Sequence, residues 1–175
     1  MHMSWKDVVE IPPWGDVEDW RQVNDAVRYL IGRHKANLGP VMETARYIET
    51  LLKSFFPLQD QLVQETCVGC QCPCCETATV WYDFCDILFN HLTGQELTER
   101  QLIGKQGDIC GCFSHRGCVM PRLSRPWVCT LYFCPQQMHR IRVRGQEVKN
   151  ASDQLIHDIR VARKKLETSF IQITS

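Results

Sequence analysis

Eleven cysteines in 175 residues carry most of the chemistry this sequence can do, and ten of them fall in two short clusters. The first is Cys67-Val-Gly-Cys70-Gln-Cys72-Pro-Cys74-Cys75, five cysteines in nine residues. A C-x2-C pair followed by small and turn-forming residues lets two sulfurs reach one metal ion while backbone N–H groups point at them. Cys74 and Cys75 are adjacent. Two neighbouring cysteines close a strained ring on one tetrahedral ion, so they more naturally serve two ions or a polynuclear cluster. The second cluster runs Cys110-Gly-Cys112-Phe-Ser-His-Arg-Gly-Cys118 and continues through Arg125-Pro126-Trp127-Val128-Cys129 to Cys134.

Metal ligation is favoured over disulfide bonding by context. The N-terminal stretch MHMSWKDVVEIPPWGD has no apolar secretory region, and no run of eighteen apolar residues exists to span a bilayer. The expectation is a cytoplasmic protein without a membrane partner, in a compartment where structural disulfides seldom persist. An odd number of cysteines also cannot pair completely. The core points the same way. Leaving out the cysteines lowers the apolar share from 44 % to about 38 %, a thin supply for a purely hydrophobic interior.

Positioning these clusters falls to flanking helices. Val23, Ala26, Val27, Leu30 and Ile31 form one apolar stripe, which predicts a helix over 20–35. Gly39-Pro40 punctuates the chain, with Pro40 suited to a first helical position. Met42, Ala45, Ile48, Leu52 and Phe55 then predict a helix over 40–55 that Pro57 stops. Val80, Phe84, Ile87 and Leu88 predict a short helix over 79–92, and 98–103 is expected to add a turn or two. Leu155, Ile159, Ala162, Leu166, Phe170 and Ile173 predict a long helix over 150–173. Its other face is read as charged, with Arg160, Arg163, Lys164, Lys165 and Glu167. The rest of 64–78 and 105–135 reads as loop. The expected fold is therefore mainly α, with helices packed around a cysteine-rich, loop-dominated metal centre. It forms one domain over 1–175, with a metal-binding core at 67–135 flanked by helical segments 1–56 and 150–175.

The chain is neutral overall, yet its charges are segregated. Residues 57–99 contain seven acidic residues and no Lys or Arg, whereas 110–149 contain seven basic residues against Glu147 alone. These are the cysteine-bearing segments. Fields of −7 and +6 should draw them together, and the arginines would also balance the charge of bound thiolates.

From Cys67 to Cys134 the pattern resembles the CxxCxxCC cysteine-cluster proteins, described as zinc- or iron-chelating. In that family a CxxCxxCC box is followed by a cysteine, a Gly-containing loop, a cysteine, an Arg-Pro pair and two further cysteines. Cys67, Cys70, Cys74 and Cys75 match the box. Cys118 matches the cysteine after the loop, Arg125-Pro126 the Arg-Pro pair, and Cys129 and Cys134 the closing pair. Either Cys110 or Cys112 supplies the remaining cysteine. The box here has one extra residue and an additional Cys72. The resemblance implies chelation of iron, as an iron–sulfur cluster or otherwise, or of zinc, by about eight thiolates, with a redox or metal-handling role. A larger protein type sharing the box methylates flagellin lysines, so an enzymatic role stays open.

The remaining residues have plainer readings. Cys85 lies inside a predicted helix and reads as a small buried residue rather than a ligand. His115 and His139 sit near ligand candidates but read mainly as second-sphere or surface groups. Trp127, Tyr132 and Phe133 read as packing around the site. The competing function is a zinc-stabilised interaction module whose basic segment contacts a protein or nucleic acid. Nucleic acid is the less favoured partner, because charge balance for thiolates already accounts for the arginines. No C-x3-C-x2-C radical box, nucleotide-binding glycine loop or H-E-x-x-H helix is present.

Overall fold

Asp16 opens the first helix of the computed structural model, which describes residues 13–68, 70, 71, 76, 78–103, 109–114 and 117–175. Its side chain accepts the Asp19 backbone N–H at 2.8 Å, and Glu18 and Asp19 in the first turn favour the positive helix end. This helix, α1 (Val17–Arg33), buries Trp20, Asn24 and Val27. The second helix, α2 (Gly39–Thr66), carries Pro40 in its first turn as expected, but it does not stop at Pro57. Pro57 is exposed, on the outer face of the helix. Gln59, Leu62 and Thr66 on the opposite side are buried and carry the helix onward. The Gln59 amide also donates to the Thr130 carbonyl, tying the far half of α2 to a distant segment. Tertiary packing outweighs the local penalty of about 3 kcal/mol for an interior proline.

The third helix, α3 (Phe84–Thr93), starts five residues later than the stripe predicts. Asp83 and Asp86 form a reciprocal capping box at its start, and Gly94 ends it with φ 69°, a left-handed conformation that favours glycine. Residues 79–82 lie outside the helix instead. The buried Gln101 side chain holds them so: it accepts the Tyr82 N–H at 2.8 Å and donates to the Tyr82 carbonyl at 3.0 Å. Because Gln101 serves as this lateral partner, 98–103 forms bends and irregular chain rather than the expected helical turns. Tyr82 is fully buried and stacks on Trp20 with ring centroids 5.5 Å apart.

The segment read as loop contains more structure than expected. A two-stranded antiparallel hairpin joins β1 (Phe113–Ser114) to β2 (Gly117–Cys118). A 3-10 turn covers Arg122–Ser124, and two short helices follow, α4 (Trp127–Leu131) and α5 (Pro135–Val143). The last helix, α6 (Gln146–Thr174), begins four residues before the predicted start, after Gly145 at φ 106°. It buries Ile159, Ala162, Leu166 and Phe170, and packs along α2 as the principal helix pair. Buried side chains of α1, α2, α3 and α6 form one connected core. The fold is mainly α-helical. No described helix is long and apolar enough to cross a membrane.

Arg163 corrects the reading of α6. Expected on the charged face, it is 9 % exposed. It lies four residues after Ile159 and three before Leu166, which places it on the same buried stripe. The opposed charge segments do meet. Asp60 pairs with Arg122, and Glu65 pairs with Arg144 at 2.6 Å and Arg140 at 4.0 Å.

Candidate metal centre

Seven of the nine candidate ligands lie within the described residues, at Cys67, Cys70, Cys110, Cys112, Cys118, Cys129 and Cys134. Cys74 and Cys75 lie outside them, as do Cys72 and His115. Six of the seven fall into two groups, and Cys129 stands apart on α4.

The first group forms where α2 ends and α5 begins. Cys67 caps the C-terminus of α2, its N–H donating to the Val63 carbonyl at 2.8 Å, and the Cys70 N–H returns to the Cys67 carbonyl at 3.2 Å. Cys134 occupies the N-cap of α5, where its thiol accepts from the Gln137 backbone N–H. The Gln137 side chain then joins the two ends. Its carbonyl oxygen accepts the Cys134 N–H at 3.3 Å, while its amide nitrogen donates to Cys67 Sγ at 3.7 Å. Gln137 is 7 % exposed, whereas Cys67 itself is exposed. Thr66 Oγ1 also lies 3.7 Å from Cys67 Sγ.

The second group surrounds the hairpin. The Phe113 N–H donates to the Cys110 carbonyl at 3.0 Å, turning the chain between Cys110 and Cys112. Across the ladder Phe113 opposes Cys118, and the Val119 N–H reaches the Cys112 carbonyl at 2.9 Å. Burial, with neighbouring Cys110 and Cys118 adding to it, pushes the Cys112 thiol above its ordinary range. Arg125 holds the returning strand, donating to the Met120 carbonyl at 3.0 Å and the Cys118 carbonyl at 3.3 Å. The Tyr82 hydroxyl donates to the Ser124 carbonyl at 2.8 Å. Burial raises that phenol far above its usual range, and both Cys112 and Cys129 act on it in the same direction.

Cys129 belongs to α4, whose N-cap, Pro126, offers no side-chain acceptor. The Trp127 N–H donates instead to Asp86 Oδ1 at 3.0 Å. Asp86 is held by Arg163, whose Nη1 donates to the same oxygen at 2.7 Å, while Nη2 binds both oxygens of Asp83 at 2.8 and 2.7 Å. Burial pushes the Asp86 carboxyl up to about 6, with the guanidinium pulling against it. The Arg163 guanidinium stands 5.6 Å from the Trp127 ring centroid.

The donor chemistry suits a thiophilic metal, with thiols presented at a helix C-cap, a helix N-cap and a hairpin turn. Among the described residues, no three His, Cys, Asp or Glu side chains stand close enough together to hold one ion. Cys85 is the buried helical residue expected, its thiol donating to the Arg163 carbonyl at 3.5 Å. His139 is exposed on α5. Phe133 packs edge-on against Phe55 at 5.9 Å, whereas Tyr132 is 51 % exposed and does not fit the expected packing role.

Three positioning side chains escaped the sequence reading: Gln137, Asp86 and Arg163. Two left a trace. Asp83-x-x-Asp86 has capping-box spacing, and Arg163 falls on the apolar period. Gln137 left a fainter one, as the third helical residue, after Cys134-Pro135. Comparison with family models, with curated proteins and with solved structures yields no match.

Proposed function

We propose that this protein binds metal through its two cysteine clusters. The metal is iron, as an iron–sulfur cluster or otherwise, or zinc, and the role is redox or metal handling. The observation that carries this reading is the Gln137 amide, which reaches back 70 residues to Cys67 of the first cluster while holding Cys134 of the second. A side chain that satisfies one cysteine's backbone and another's sulfur is what a thiolate centre requires, since N–H donors near sulfur stabilise its charged form. The resemblance to the CxxCxxCC proteins supports the same ligand set: Cys67, Cys70, Cys74, Cys75, Cys118, Cys129 and Cys134, with Cys110 or Cys112 completing it. Bound metal would supply redox capacity if iron, or fixed loop geometry if zinc.

Metal analysis with a visible spectrum on anaerobically purified protein tests this. Stoichiometric metal is expected in the wild type, reduced in Cys74→Ser and Cys129→Ser and unchanged in Cys85→Ser. Broad visible absorption that bleaches on reduction identifies iron–sulfur, and colourless protein with zinc identifies zinc. Metal-free wild type, or full occupancy in both ligand variants, overturns the proposal.

A further inference from the structure

We propose that Asp86 is the positioning residue for Cys129, acting as an N-cap supplied from another helix; this rests on the reading of Cys129 as a metal ligand. Helix α4 has five residues, too few to persist unaided. The first N–H groups of a helix lack intrahelical partners, and Pro126 at the cap has neither a side-chain acceptor nor its own N–H. The vacant role is taken by Asp86 Oδ1, which accepts the Trp127 N–H at 3.0 Å. From there the register is short: the Cys129 N–H donates to the Pro126 carbonyl at 3.0 Å.

Asp86 is suited to this because it is itself immobilised. Its Oδ1 takes Arg163 Nη1 at 2.7 Å, its Oδ2 takes the Asp83 N–H at 3.2 Å, and the residue is 4 % exposed. At the other end of α4, the Thr130 carbonyl accepts from Gln59 of α2. The cysteine is therefore carried on a helical turn fixed at both ends by side chains from the larger helices. Placement of the thiol depends on one carboxylate from α3, and the core packing of α3 is a separate matter.

Alkylation of native protein as purified with iodoacetamide, quantified for each cysteine by mass spectrometry, tests this. In Asp86→Ala the Cys129 rate relative to Cys134 should rise about tenfold, the factor for one charge-assisted hydrogen bond. Asp86→Asn retains an acceptor oxygen and should hold the ratio within about twofold. Leu88→Ala, a buried truncation on the same helix, should raise both rates together. A Cys129 ratio unchanged in Asp86→Ala, or raised no more than in Leu88→Ala, overturns the proposal. Should Asp86→Ala fail to fold, the wild type still decides: the Trp127 amide should exchange slowly with deuterium, and free exchange overturns the role. If the wild type holds no metal, the metal reading fails, while the exchange and alkylation results still decide whether Asp86 positions Cys129.

Discussion

Replacing Arg163 with methionine should be among the most damaging single substitutions outside the cysteines. Methionine keeps an unbranched chain against Trp127 but removes the guanidinium that serves two carboxylates. The Asp83 side chain is 51 % exposed, so water replaces its half of the interaction at little cost. Asp86 cannot be rehydrated in this way at 4 % exposure. Breaking a buried pair by removing one partner costs about 3–5 kcal/mol. That is a large part of the roughly 5–15 kcal/mol holding a typical domain, and corresponds to a fall in Tm of roughly 6–20 °C at this chain length. The pH dependence separates electrostatics from lost packing. Burial already places Asp86 at about 6 with Arg163 in place, against about 3.9 when unfolded. A folded pKa above the unfolded one means stability is fully present below about pH 4 and is lost as pH rises through the folded value. Without the guanidinium the folded value climbs further. Wild-type stability therefore levels off above about pH 6, whereas that of Arg163→Met keeps falling at about 1.4 kcal/mol per pH unit. Urea unfolding followed by circular dichroism between pH 5 and 8 measures both. A deficit below about 1 kcal/mol at pH 7, or one that does not change with pH, would refute the argument.

Two further outcomes follow from single residues. Burial pushes the Cys85 thiol up to about 12, so the folded chain keeps a proton that the unfolded chain begins to release near pH 9; stability is full below that and falls by about 1.4 kcal/mol per unit towards pH 12. Cys85→Ala should flatten this alkaline slope, and parallel wild-type and variant Tm curves from pH 8 to 11 would count against it. Pro57→Ala, at an exposed interior position of α2, should raise stability by about 1–2 kcal/mol, the restored helical hydrogen bond outweighing the freer unfolded chain. A lower Tm would mean that the proline itself is needed for packing.

What the sequence disclosed depended on where packing is periodic. The stripes of α6, and of α2 as far as Phe55, are long, apolar and mostly buried, whereas on α1 only Val27 of the stripe is buried, Val23, Leu30 and Ile31 are half-buried and Ala26 is exposed. Pro57 was read locally, and its penalty is real, but three buried residues beyond it decided the outcome. Helix α5 was invisible because it buries only Gln137 and Ile141, which is no stripe. Its trace was instead Cys134-Pro135 with Gln137 at the third helical position, a capping signal hidden among residues read as ligands. Residues 98–103 differ for a related reason: Gln101 is as good a helix former as most, and only the non-helical backbone at Tyr82 gives its amide a better use.

The cysteine spacing and the charge segregation are independent features of the sequence, and the structure makes them act at the same place. Glu65 stands two residues before Cys67, and its partners Arg140 and Arg144 lie on α5, the helix that Cys134 caps. Asp60 on the preceding turn of α2 meets Arg122, beside the Arg125 that holds the Cys118 strand. Pairs as exposed as these contribute roughly 0.2–1 kcal/mol each, too little to account for the fold. Their value is in orientation. Opposed fields select which ends approach, and short-range bonds then set the register. Gln137 supplies that second step, being buried where the arginines are not. If the −7 and +6 segments exist to bring the thiols together, Glu65→Lys should slow refolding of the Cys67–Cys134 junction while costing little equilibrium stability.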